Sequence, residues 1–429
     1  MKVLHILHES LPLISGFTIR SKYIFRHQKD FAKVFVFTTF NFKRNNNLEI
    51  IDNIPYFRMN KGISFLLRKY NKFIIRLNNI VYRVFSINLE NKLSALLYFP
   101  VSIFTQYYIE KLVNFYKIDI IHQHSQYQIG KYSFKVAKKL NIPYVYEVRG
   151  FIEESMLATS KDRRLANRKS LKFIYYRIKD RETEILKLSD SIVTLSEPMK
   201  EELNKRGINK EIIHVIPNCI DPTILKSINI ENDLKEKLNL SSDLIIGYFG
   251  QLRWLEGIDI FIKAIPKILE KKIDIKVLLI GNIGQNYFNY LDQLIKQLNL
   301  SKYIVFLDAL PHEELLKYYS IVDMMVLPRL NTRVTRIVTP LKPLEAMGFK
   351  TLVIASNLPA LKYTIMDGKT GVLFDPENSE DLASKIIYYF THLDKKSKIE
   401  DFAYDFVLNN FSWKNIVLKY RKVYLNLLK

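Results

Sequence analysis

Strand-like apolar runs alternate with helical patterns along almost the whole chain. Repeated strand–helix units predict parallel β-sheets with helices on both faces, so the fold class is α/β. The pattern stops and restarts near residue 216, which gives two series of predicted strands. The first series is 3–7, 34–38, 118–122, 144–148, 191–195 and 212–216, and the second is 244–249, 276–280, 304–307, 324–327 and 351–355.

The break between the two series predicts two domains. A chain of 429 residues exceeds what one hydrophobic core usually serves. The turn-rich segment 216–222, Ile-Pro-Asn-Cys-Ile-Asp-Pro, marks the boundary. We predict Rossmann-like domains over 1–215 and 216–405, followed by a C-terminal helix within 406–429. Ligands of open α/β sheets bind beyond the carboxyl ends of the strands, so a site is expected in the cleft between the domains.

Cysteine content and hydropathy indicate a cytoplasmic protein. The single cysteine, Cys219, excludes a disulfide framework and a cysteine metal cluster. Residues 1–7 form a predicted strand, and no apolar signal core with a small-residue cleavage site follows them. Residues 93–109 carry no charge, but they include Pro100 and are too few to span a bilayer. We interpret them as core.

The formal net charge of +22 implies an anionic partner. It is concentrated in 61–83, which has no acidic residue, and in 161–181. Basic residues interleaved with aliphatic and aromatic ones suit a helix on an anionic membrane surface, which would make the protein peripheral on the inner face of the cytoplasmic membrane. Ordinary amphipathic helices that solvate their charge remain the alternative. Nucleic acid is disfavoured because no nucleic-acid-binding motif accompanies the charge.

The segment from Pro328 to Gly348 has the features of a nucleotide site. Thr339 is the predicted N-cap of a helix whose first position is Pro340. The loop before it is cationic, and the N–H groups at the helix start favour an anion. Glu345, about one turn into the helix, could bind the diol of a ribose. The residues assigned to the phosphates here are Arg333, Arg336, Leu341 and Lys342.

Other strand ends offer weaker candidates. Gly16 and Gly250 each follow a strand and permit a close approach of the backbone to a phosphate, with Arg253 nearby. After two further strands come side chains that would either bind sugar hydroxyls of an acceptor or be satisfied locally. They are His122, His124, Glu147, Arg149, Glu153 and Glu154. The chain has no Asp-x-Asp and no paired histidines at metal-binding spacing, so neither a metal nor another cofactor is expected.

These motifs together resemble the retaining glycosyltransferases of family 4, which have the GT-B fold. The likeness spans the whole chain and is closest to the members that build exopolysaccharide, capsule or lipopolysaccharide. It implies two Rossmann-like domains whose parallel sheets face each other across a cleft, with the C-terminal helix crossing back to the first domain. The motifs are Ser-Gly-Phe-Thr-Ile-Arg-Ser at 15–21, Ile-Pro-Asn at 216–218, Gly250, Glu-Gly-Ile-Asp at 256–259, Pro-Leu-Lys-Pro-Leu-Glu-Ala-Met at 340–347, Asp-Gly-Lys-Thr-Gly at 367–371 and Phe-Ser-Trp at 411–413.

The resemblance also implies roles for single residues. Glu345 would bind the ribose, and the loop around Gly16 would close on the diphosphate and sugar. The candidate catalytic residues are Lys342, Arg253 and Arg149. Lys342 and Arg253 would stabilise the leaving diphosphate, while Arg149 departs from the family by standing where many members carry a histidine. The chain departs from the family at three further positions. Ile337 replaces a glutamate that contacts the donor sugar, and the usual arginine and lysine near the phosphate-site glycine fall at Gln251 and Glu256.

The expected activity is that of a metal-independent retaining hexosyltransferase. It would move a sugar from a nucleoside-diphosphate sugar, with a UDP-sugar favoured, to a hydroxyl of a growing lipid-linked glycan. The alternative is a non-catalytic subunit that binds a sugar nucleotide or glycan and scaffolds a polysaccharide assembly complex. The three departures favour that alternative.

Overall fold

The computed structural model describes residues 1–39, 47–85, 99–159, 169–227, 234–238, 240 and 242–429. Two sheets form the framework, which confirms the predicted pair of Rossmann-like α/β domains. The first sheet has the strand order β3-β4-β2-β1-β5-β6-β7-β8. Its strands are β1 Lys2–Leu7, β2 Lys33–Thr38, β3 Leu48–Ile51, β4 Ile54–Arg58, β5 Ile120–His124, β6 Tyr144–Val148, β7 Ser191–Thr194 and β8 Ile213–Val215.

The second sheet has six strands in the order β11-β10-β9-β12-β13-β14, and all of its neighbouring strands pair in parallel. Most of these strands are buried runs of Val, Ile and Leu, as expected for a sheet covered on both faces. They are β9 Leu244–Phe249, β10 Ile275–Ile280, β11 Ile304–Leu307, β12 Met324–Leu327, β13 Leu352–Ser356 and β14 Val372–Phe374.

Helices connect the strands and cover the sheets. In the first half they are α1 Gly16–Gln28, α2 Lys61–Phe85, α3 Phe99–Tyr116, α4 Tyr127–Leu140, α5 Ile152–Thr159, α6 Lys169–Lys187 and α7 Glu197–Lys205. In the second half they are α8 Pro222–Ser227, α9 Leu234–Lys237, α10 Ile258–Glu270, α11 Gln285–Gln297, α12 His312–Tyr319, α13 Arg333–Ile337, α14 Lys342–Gly348, α15 Pro359–Lys362, α16 Ser379–Thr391, α17 Leu393–Asn410 and α18 Trp413–Leu427.

The sheets differ from the sequence prediction at a few places. β3 and β4 were not predicted, and they pair antiparallel at the edge of the otherwise parallel first sheet. Their two-residue turn, Asp52-Asn53, has positive φ at both positions, which is the hairpin geometry that these residue types tolerate. β5 begins at Ile120, two residues later than predicted, and β14 was missed.

Two chain segments cross between the domains side by side. The backbone N–H of Ile220 donates to Phe411 O at 2.8 Å, and that of Trp413 donates to Ile220 O at 3.0 Å. The C-terminal helix α18, which follows the second crossing, then packs against α1 of the first domain. The C-terminal helix therefore crosses back, as the family resemblance implied.

Segment 161–181, noted for its charge, and segment 93–109, noted for its hydropathy, are only partly described. Residues 86–98 and 160–168 lie outside the described residues, and with them parts of 93–109 and 161–181. The interpretation of 93–109 as core is wrong for one side of α3, because Phe99, Ile103 and Tyr107 are exposed. No helix among the described residues is both long and apolar enough to cross a membrane.

Candidate active site

A lysine and a glycine meet where two strands of the second sheet end. Gly250 follows β9, and Lys342 begins α14. Gly250 has a φ of +125°, and a Cβ built on it would lie 2.6 Å from Lys342 Cε. Any other residue would therefore strain the backbone and displace the lysine. The two residues that the sequence assigned to the diphosphate are thus neighbours.

Lys342 is held by an aromatic ring and a carboxylate. Its ammonium lies 4.2 Å from the ring centroid of Tyr248, donates to the Tyr248 hydroxyl, and donates to Glu256 Oε2 at 3.2 Å. Burial lowers the pKa of Lys342, whereas the charge of Glu256 raises it. Burial also opposes ionisation of Glu256, but Lys342 and Arg329 outweigh it and lower the pKa of Glu256 to about 2. Glu256, a departure from the family pattern, is therefore an ionised partner of Lys342.

Glu345 lies in α14 with both carboxylate oxygens engaged. His312 Nε2 lies 2.7 Å from Oε1, and the Tyr319 hydroxyl donates to Oε2 at 2.9 Å. Burial would raise the pKa of Glu345, but the hydrogen bond and charge of His312 outweigh it and hold the pKa below its ordinary value. Glu345 is thus a positioned, ionised carboxylate.

Glu345 faces a narrow crevice between the domains. Its walls come from α1 and from the segments that follow β11 and β12, so both sheets contribute at their carboxyl ends. The lining residues include Tyr23, Asp221, His312, Leu341 and Glu345. This is the position that the strand pattern predicted for a ligand site.

The helix that carries Glu345 starts later than predicted. α14 begins at Lys342 with Leu341 as its N-cap and Pro343 in its first turn. The prediction that Thr339 is the N-cap is wrong, and its hydroxyl has no hydrogen-bond partner among the described residues. The carbonyl of Thr339 instead accepts a hydrogen bond from Asn218 Nδ2 at 3.2 Å. This bond ties residue 339 to the segment between the domains and keeps it outside the helix.

The loop at Gly16 faces open space. α1 begins at Gly16, and Ser15 and Thr18 bond reciprocally as a capping box. Within the described part of the chain, no atom outside the immediate neighbours lies within 4 Å of a Cβ built on Gly16. Further along the same helix, Lys22 Nζ pairs with Glu313 of α12 at 2.9 Å, across the crevice. The predicted contact of Gly16 with the donor stays a prediction.

The three arginines assigned to the donor differ in their surroundings. Arg253 and Arg336 are exposed, and Arg253 adds to the effect of burial in lowering the pKa of Lys342. Arg333 instead pairs with Glu154 and Glu202 of the first domain, each at 2.9 Å. Its assignment to the phosphates is corrected for this conformation, because its guanidinium bridges the two domains.

Ile337 also takes part in the contact between the domains. Its side chain packs against the hydrophobic core of the first domain. Its carbonyl oxygen accepts a hydrogen bond from Ser196 Oγ at 3.3 Å. The position where the family places a sugar-binding glutamate thus contributes packing here.

The residues predicted to bind an acceptor lie in the interior. His124 and Glu147 are fully buried, and the side chain of Arg149 is only 6% exposed. Arg149 also donates to Phe17 O and to Ser21 Oγ, both at 2.7 Å. His124 and Glu147 are covered in this conformation, and the assignment of these residues and of Arg149 to the acceptor stays a prediction. Sequence periodicity could place them at strand ends, but it could not show that other elements cover those ends.

These side chains form a buried hydrogen-bond circuit that is open at one link. Its members come from β1, α1, β5, β6, the segment after β6, and α18. Each bonds to the next except His122 and Glu147, whose Nε2 and Oε2 lie 3.4 Å apart without a hydrogen bond. In order they are Arg149, His124, His5, Gln28, Tyr424, His122 and Glu147.

The direction of the first half of the circuit follows from Arg149, which can only donate. Arg149 Nη2 donates to His124 Nδ1 at 2.6 Å. His124 Nε2 then carries the proton and donates to His5 Nδ1 at 2.8 Å. His5 Nε2 donates in turn to Gln28 Oε1, also at 2.8 Å. Both histidines are therefore neutral, in agreement with burial holding their pKa values well below the ordinary range.

The second half returns to the arginine. Gln28 Nε2 donates to the Tyr424 hydroxyl at 3.1 Å, which donates to His122 Nδ1 at 2.6 Å. His122 Nε2 faces Glu147 Oε2 at 3.4 Å, and Arg149 Nε donates to Glu147 Oε1 at 2.8 Å. Burial opposes ionisation of Glu147, but the adjacent arginines hold its pKa well below the ordinary value. The circuit thus contains one carboxylate and three neutral histidines.

Glu147 also connects the circuit to the segment between the domains. Arg20 Nε donates to Glu147 Oε1 at 2.9 Å, and the hydroxyl of Tyr420 in α18 donates to Oε2 at 2.7 Å. The other nitrogens of Arg20 donate to Ile216 O at 2.8 Å and to Pro217 O at 2.7 Å. The circuit therefore holds residues 216–217, called here the hinge between the domains, against the first domain.

Among the described residues, these three histidines also have a spacing that could hold a metal ion. One ring nitrogen from each histidine lies within 4.8 Å of those from the other two. Five of the six ring nitrogens already bond within the circuit. The cation of Arg149 also contacts His124. The histidine cluster is better explained as structural, and the expectation that no metal is needed stays a prediction.

Several residues around the candidate site were not predicted from the sequence. Tyr248, His312 and Tyr319 hold the predicted residues Lys342 and Glu345, but no motif distinguishes them from core side chains. His312 had one signal, since it begins a helix after a predicted strand. Contacts between distant segments are needed to find the others.

Two family profiles match consecutive parts of the chain. The family described as Glycosyltransferase Family 4 matches residues 71–224, and the family described as Glycosyl transferases group 1 matches residues 229–406. Among curated relatives, the uncharacterized glycosyltransferase MJ1178 of Methanocaldococcus jannaschii is 24% identical over 99% of both chains. The uncharacterized glycosyltransferase MJ1607 of the same organism is 27% identical over 55% of this chain and 60% of its own length. The lipopolysaccharide core biosynthesis mannosyltransferase LpcC of Rhizobium leguminosarum is 24% identical over 48% of this chain and 55% of its own length.

Solved structures share the fold over nearly the whole chain. Sucrose-phosphate synthase from Thermosynechococcus elongatus superposes with a TM-score of 0.74 at 17% identity, covering 99% of this chain and 98% of that one. Anabaena Alr3699/HepE in complex with UDP-glucose gives a TM-score of 0.68 at 15% identity, covering 99% and 100%.

Two Rossmann-like domains with a crevice at the carboxyl ends of their sheets define the GT-B class of glycosyltransferases. The two consecutive profile matches specify the family within this class. The chain is a GT-B glycosyltransferase of the family 4 type.

Proposed function

We propose that this protein transfers a hexose from a nucleoside-diphosphate sugar, with a UDP-sugar favoured, to a hydroxyl of a growing lipid-linked glycan. The observation that carries the proposal is the crevice itself. Ionised Glu345 lines it, and cationic Lys342 lies three residues earlier at the start of α14, where the backbone at Gly250 leaves room for the lysine. A diphosphate would lie beside the lysine and a ribose diol on the carboxylate once the crevice, which is narrow in this conformation, opens.

The comparisons support the donor and the kind of product. Anabaena Alr3699/HepE was solved with UDP-glucose in the same fold. LpcC is named for lipopolysaccharide core synthesis, and its match covers about half of this chain. A bacterial surface glycan, as in capsule or lipopolysaccharide synthesis, is therefore the proposed product class.

The chemistry follows from where charge develops. The bond between the anomeric carbon and the diphosphate breaks while the acceptor oxygen forms its bond on the same face, so configuration is retained. The acceptor proton passes to the departing phosphate oxygen, and no side-chain base is required. The negative charge that develops on the leaving group would be stabilised by Lys342 and Arg253, with the N–H groups of Leu341 and Lys342 alongside. Cations supplied by the chain would make the transfer metal-independent.

The direct test is nucleotide binding by variants of Glu345. Glu345→Gln keeps the size of the side chain but removes the charge, and Glu345→Ala removes both. Hydrogen bonds to a charged group contribute about 1.5–3 kcal/mol, so UDP affinity should fall roughly 10- to 100-fold in both. Calorimetric titration measures the loss. Glu314→Ala, which removes an exposed carboxylate in α12, is the matched control and should bind UDP like the wild type.

Unchanged UDP and GDP affinity in the Glu345 variants would contradict the assignment. Turnover then separates a transferase from a protein that only binds. Hydrolysis or transfer of a UDP-sugar by the purified chain supports the enzyme, whereas binding without turnover favours the scaffold subunit.

A further inference from the structure

Helix α2 exposes large apolar side chains along one side. Phe65 is 48% exposed, Leu66 63% and Phe73 58%. The opposite side of the helix is buried, through Leu67 and Ile74. At 100° per residue the three exposed side chains fall within one face of the helix. They are therefore not needed for the core of the domain.

The same face of α2 carries positive charge. Lys61, Lys69, Lys72 and Arg76 are exposed and alternate with the apolar side chains. Lys69 Nζ lies 4.6 Å from the ring centroid of Phe65, so cation and ring are side by side. Residues 61–83 contain no Asp or Glu that could neutralise this face from within.

The neighbouring helix extends the apolar area without adding charge. Helix α3 contacts α2, and both pack on the same core of the first domain. On its outer side α3 exposes Phe99, Ile103, Phe104 and Tyr107. No charged residue occurs between 93 and 109. Several large apolar side chains exposed on neighbouring helices usually mark an interaction site.

We propose that these two outer faces, called here the apolar–basic face, dock on the surface of a lipid bilayer that contains anionic headgroups. The face consists of Lys61, Phe65, Leu66, Lys69, Lys72, Phe73, Arg76, Phe99, Ile103, Phe104 and Tyr107. Aromatic and aliphatic side chains enter the boundary between headgroups and acyl chains, while the lysines and Arg76 attract the anionic headgroups.

Charge and shape favour a bilayer over other partners. On α2 the apolar and basic side chains fall on one face of the helix, so both can contact a flat surface at the same time. A nucleic acid would use the cations but would leave exposed aliphatic side chains such as Leu66 in water. The proposal concerns where the protein is held, so it goes beyond the transfer reaction and does not depend on it.

The test is flotation with vesicles of phosphatidylcholine alone and of phosphatidylcholine with phosphatidylglycerol. Each basic residue near an anionic surface contributes about 1 kcal/mol, which is roughly fivefold in partitioning, so removing three should weaken binding on the order of 100-fold. The control removes three exposed lysines from the second domain and changes the net charge equally. The variants are Lys69→Gln/Lys72→Gln/Arg76→Gln and, as control, Lys271→Gln/Lys362→Gln/Lys398→Gln.

A third variant tests the apolar part. Phe65→Ser/Leu66→Ser/Phe73→Ser keeps every charge, and we expect it to lose most of its vesicle binding even at low salt. Unchanged thermal unfolding shows that each variant is folded.

Three results would overturn the proposal. The first is equal binding of the charge variant and its control, and the second is equal binding to both kinds of vesicle. The third is a self-associated protein that becomes monomeric in the apolar variant, as seen by sedimentation velocity, because the face would then cover a second copy of the chain.

Discussion

Removing a single hydroxyl from the buried circuit should weaken the hinge of the protein. The Tyr424 hydroxyl accepts from Gln28 Nε2 at 3.1 Å and donates to His122 Nδ1 at 2.6 Å. Tyr424→Phe keeps the ring and its packing in α18. The substitution therefore leaves almost no cavity and isolates the effect of the two hydrogen bonds.

The magnitude follows from the two groups left without partners. Gln28 and His122 are fully buried, so water cannot replace the lost hydroxyl. Each unsatisfied buried group costs about 1–3 kcal/mol. Part of this cost is offset because the variant no longer buries a hydroxyl of its own. We expect the free energy of unfolding to fall by about 2–4 kcal/mol.

Trp413 provides a local assay. It is buried at the start of α18, and the chain contains two tryptophans. In a Trp254→Phe background, its fluorescence during urea unfolding reports directly on the docking of α18. Tyr176→Phe is the matched control, because Tyr176 is exposed, and we expect a change below about 0.5 kcal/mol.

A double variant distinguishes the circuit from ordinary packing. Tyr424→Phe combined with His122→Phe removes both partners of one hydrogen bond, so no orphan remains between them. The loss in the double variant should be smaller than the sum of the two single losses. Strict additivity, or a Tyr424→Phe variant as stable as the wild type, would refute the argument that the circuit fastens the hinge.

Two further predictions concern the crevice and pH. Gly250→Ala should weaken UDP binding several-fold and lower the free energy of unfolding by about 1–3 kcal/mol, because the φ of Gly250 is positive and the new Cβ would meet Lys342. Gly284→Ala is the control, because nothing in the described residues lies close to a Cβ at that position. Equal UDP affinity and equal stability of the two variants would contradict the prediction. Burial lowers the pKa of His5, His122 and His124, so the unfolded chain binds more protons as pH falls below about 6.5. The free energy of unfolding should be constant above that pH. Below it, each histidine should decrease the free energy of unfolding by up to about 1.4 kcal/mol per pH unit. A constant free energy of unfolding from pH 7.5 to 5.5 would contradict this prediction.

The sequence predicted the framework because buried parallel strands leave a direct signal. β9 and β12 are continuous apolar runs, and the helices between them have clear periodicity. The same logic brought Gly250 and Lys342 to one edge of the sheet. It failed for β3, which is an edge strand of only four residues, none of them buried.

The surroundings of His124, Glu147 and Arg333 differ from those predicted for one physical reason. His124 and Glu147 do end strands at the ligand side of the first sheet, as predicted. However, α1 and α18 cover them, and α18 is almost 300 residues away along the chain. Periodicity reports which residues share a face, and it carries no information about which distant helix covers that face. Arg333 was misplaced for a similar reason, since its partners Glu154 and Glu202 belong to the other domain.

The contacts between the domains differ in strength from the rim of the crevice to the hinge. At the rim, Glu313 is 66% exposed in its pair with Lys22, and exposed ion pairs contribute only about 0–1 kcal/mol each. Arg333 is 52% exposed, but its partners Glu154 and Glu202 are buried. At the hinge, the buried guanidinium of Arg20 donates to the carbonyl oxygens of Ile216 and Pro217, and hydrogen bonds to charged groups contribute about 1.5–3 kcal/mol each. We therefore expect the Lys22–Glu313 pair to break at a smaller cost than the contacts of Arg20 with the hinge. If the crevice opens, the hinge contacts of Arg20 favour opening from the rim.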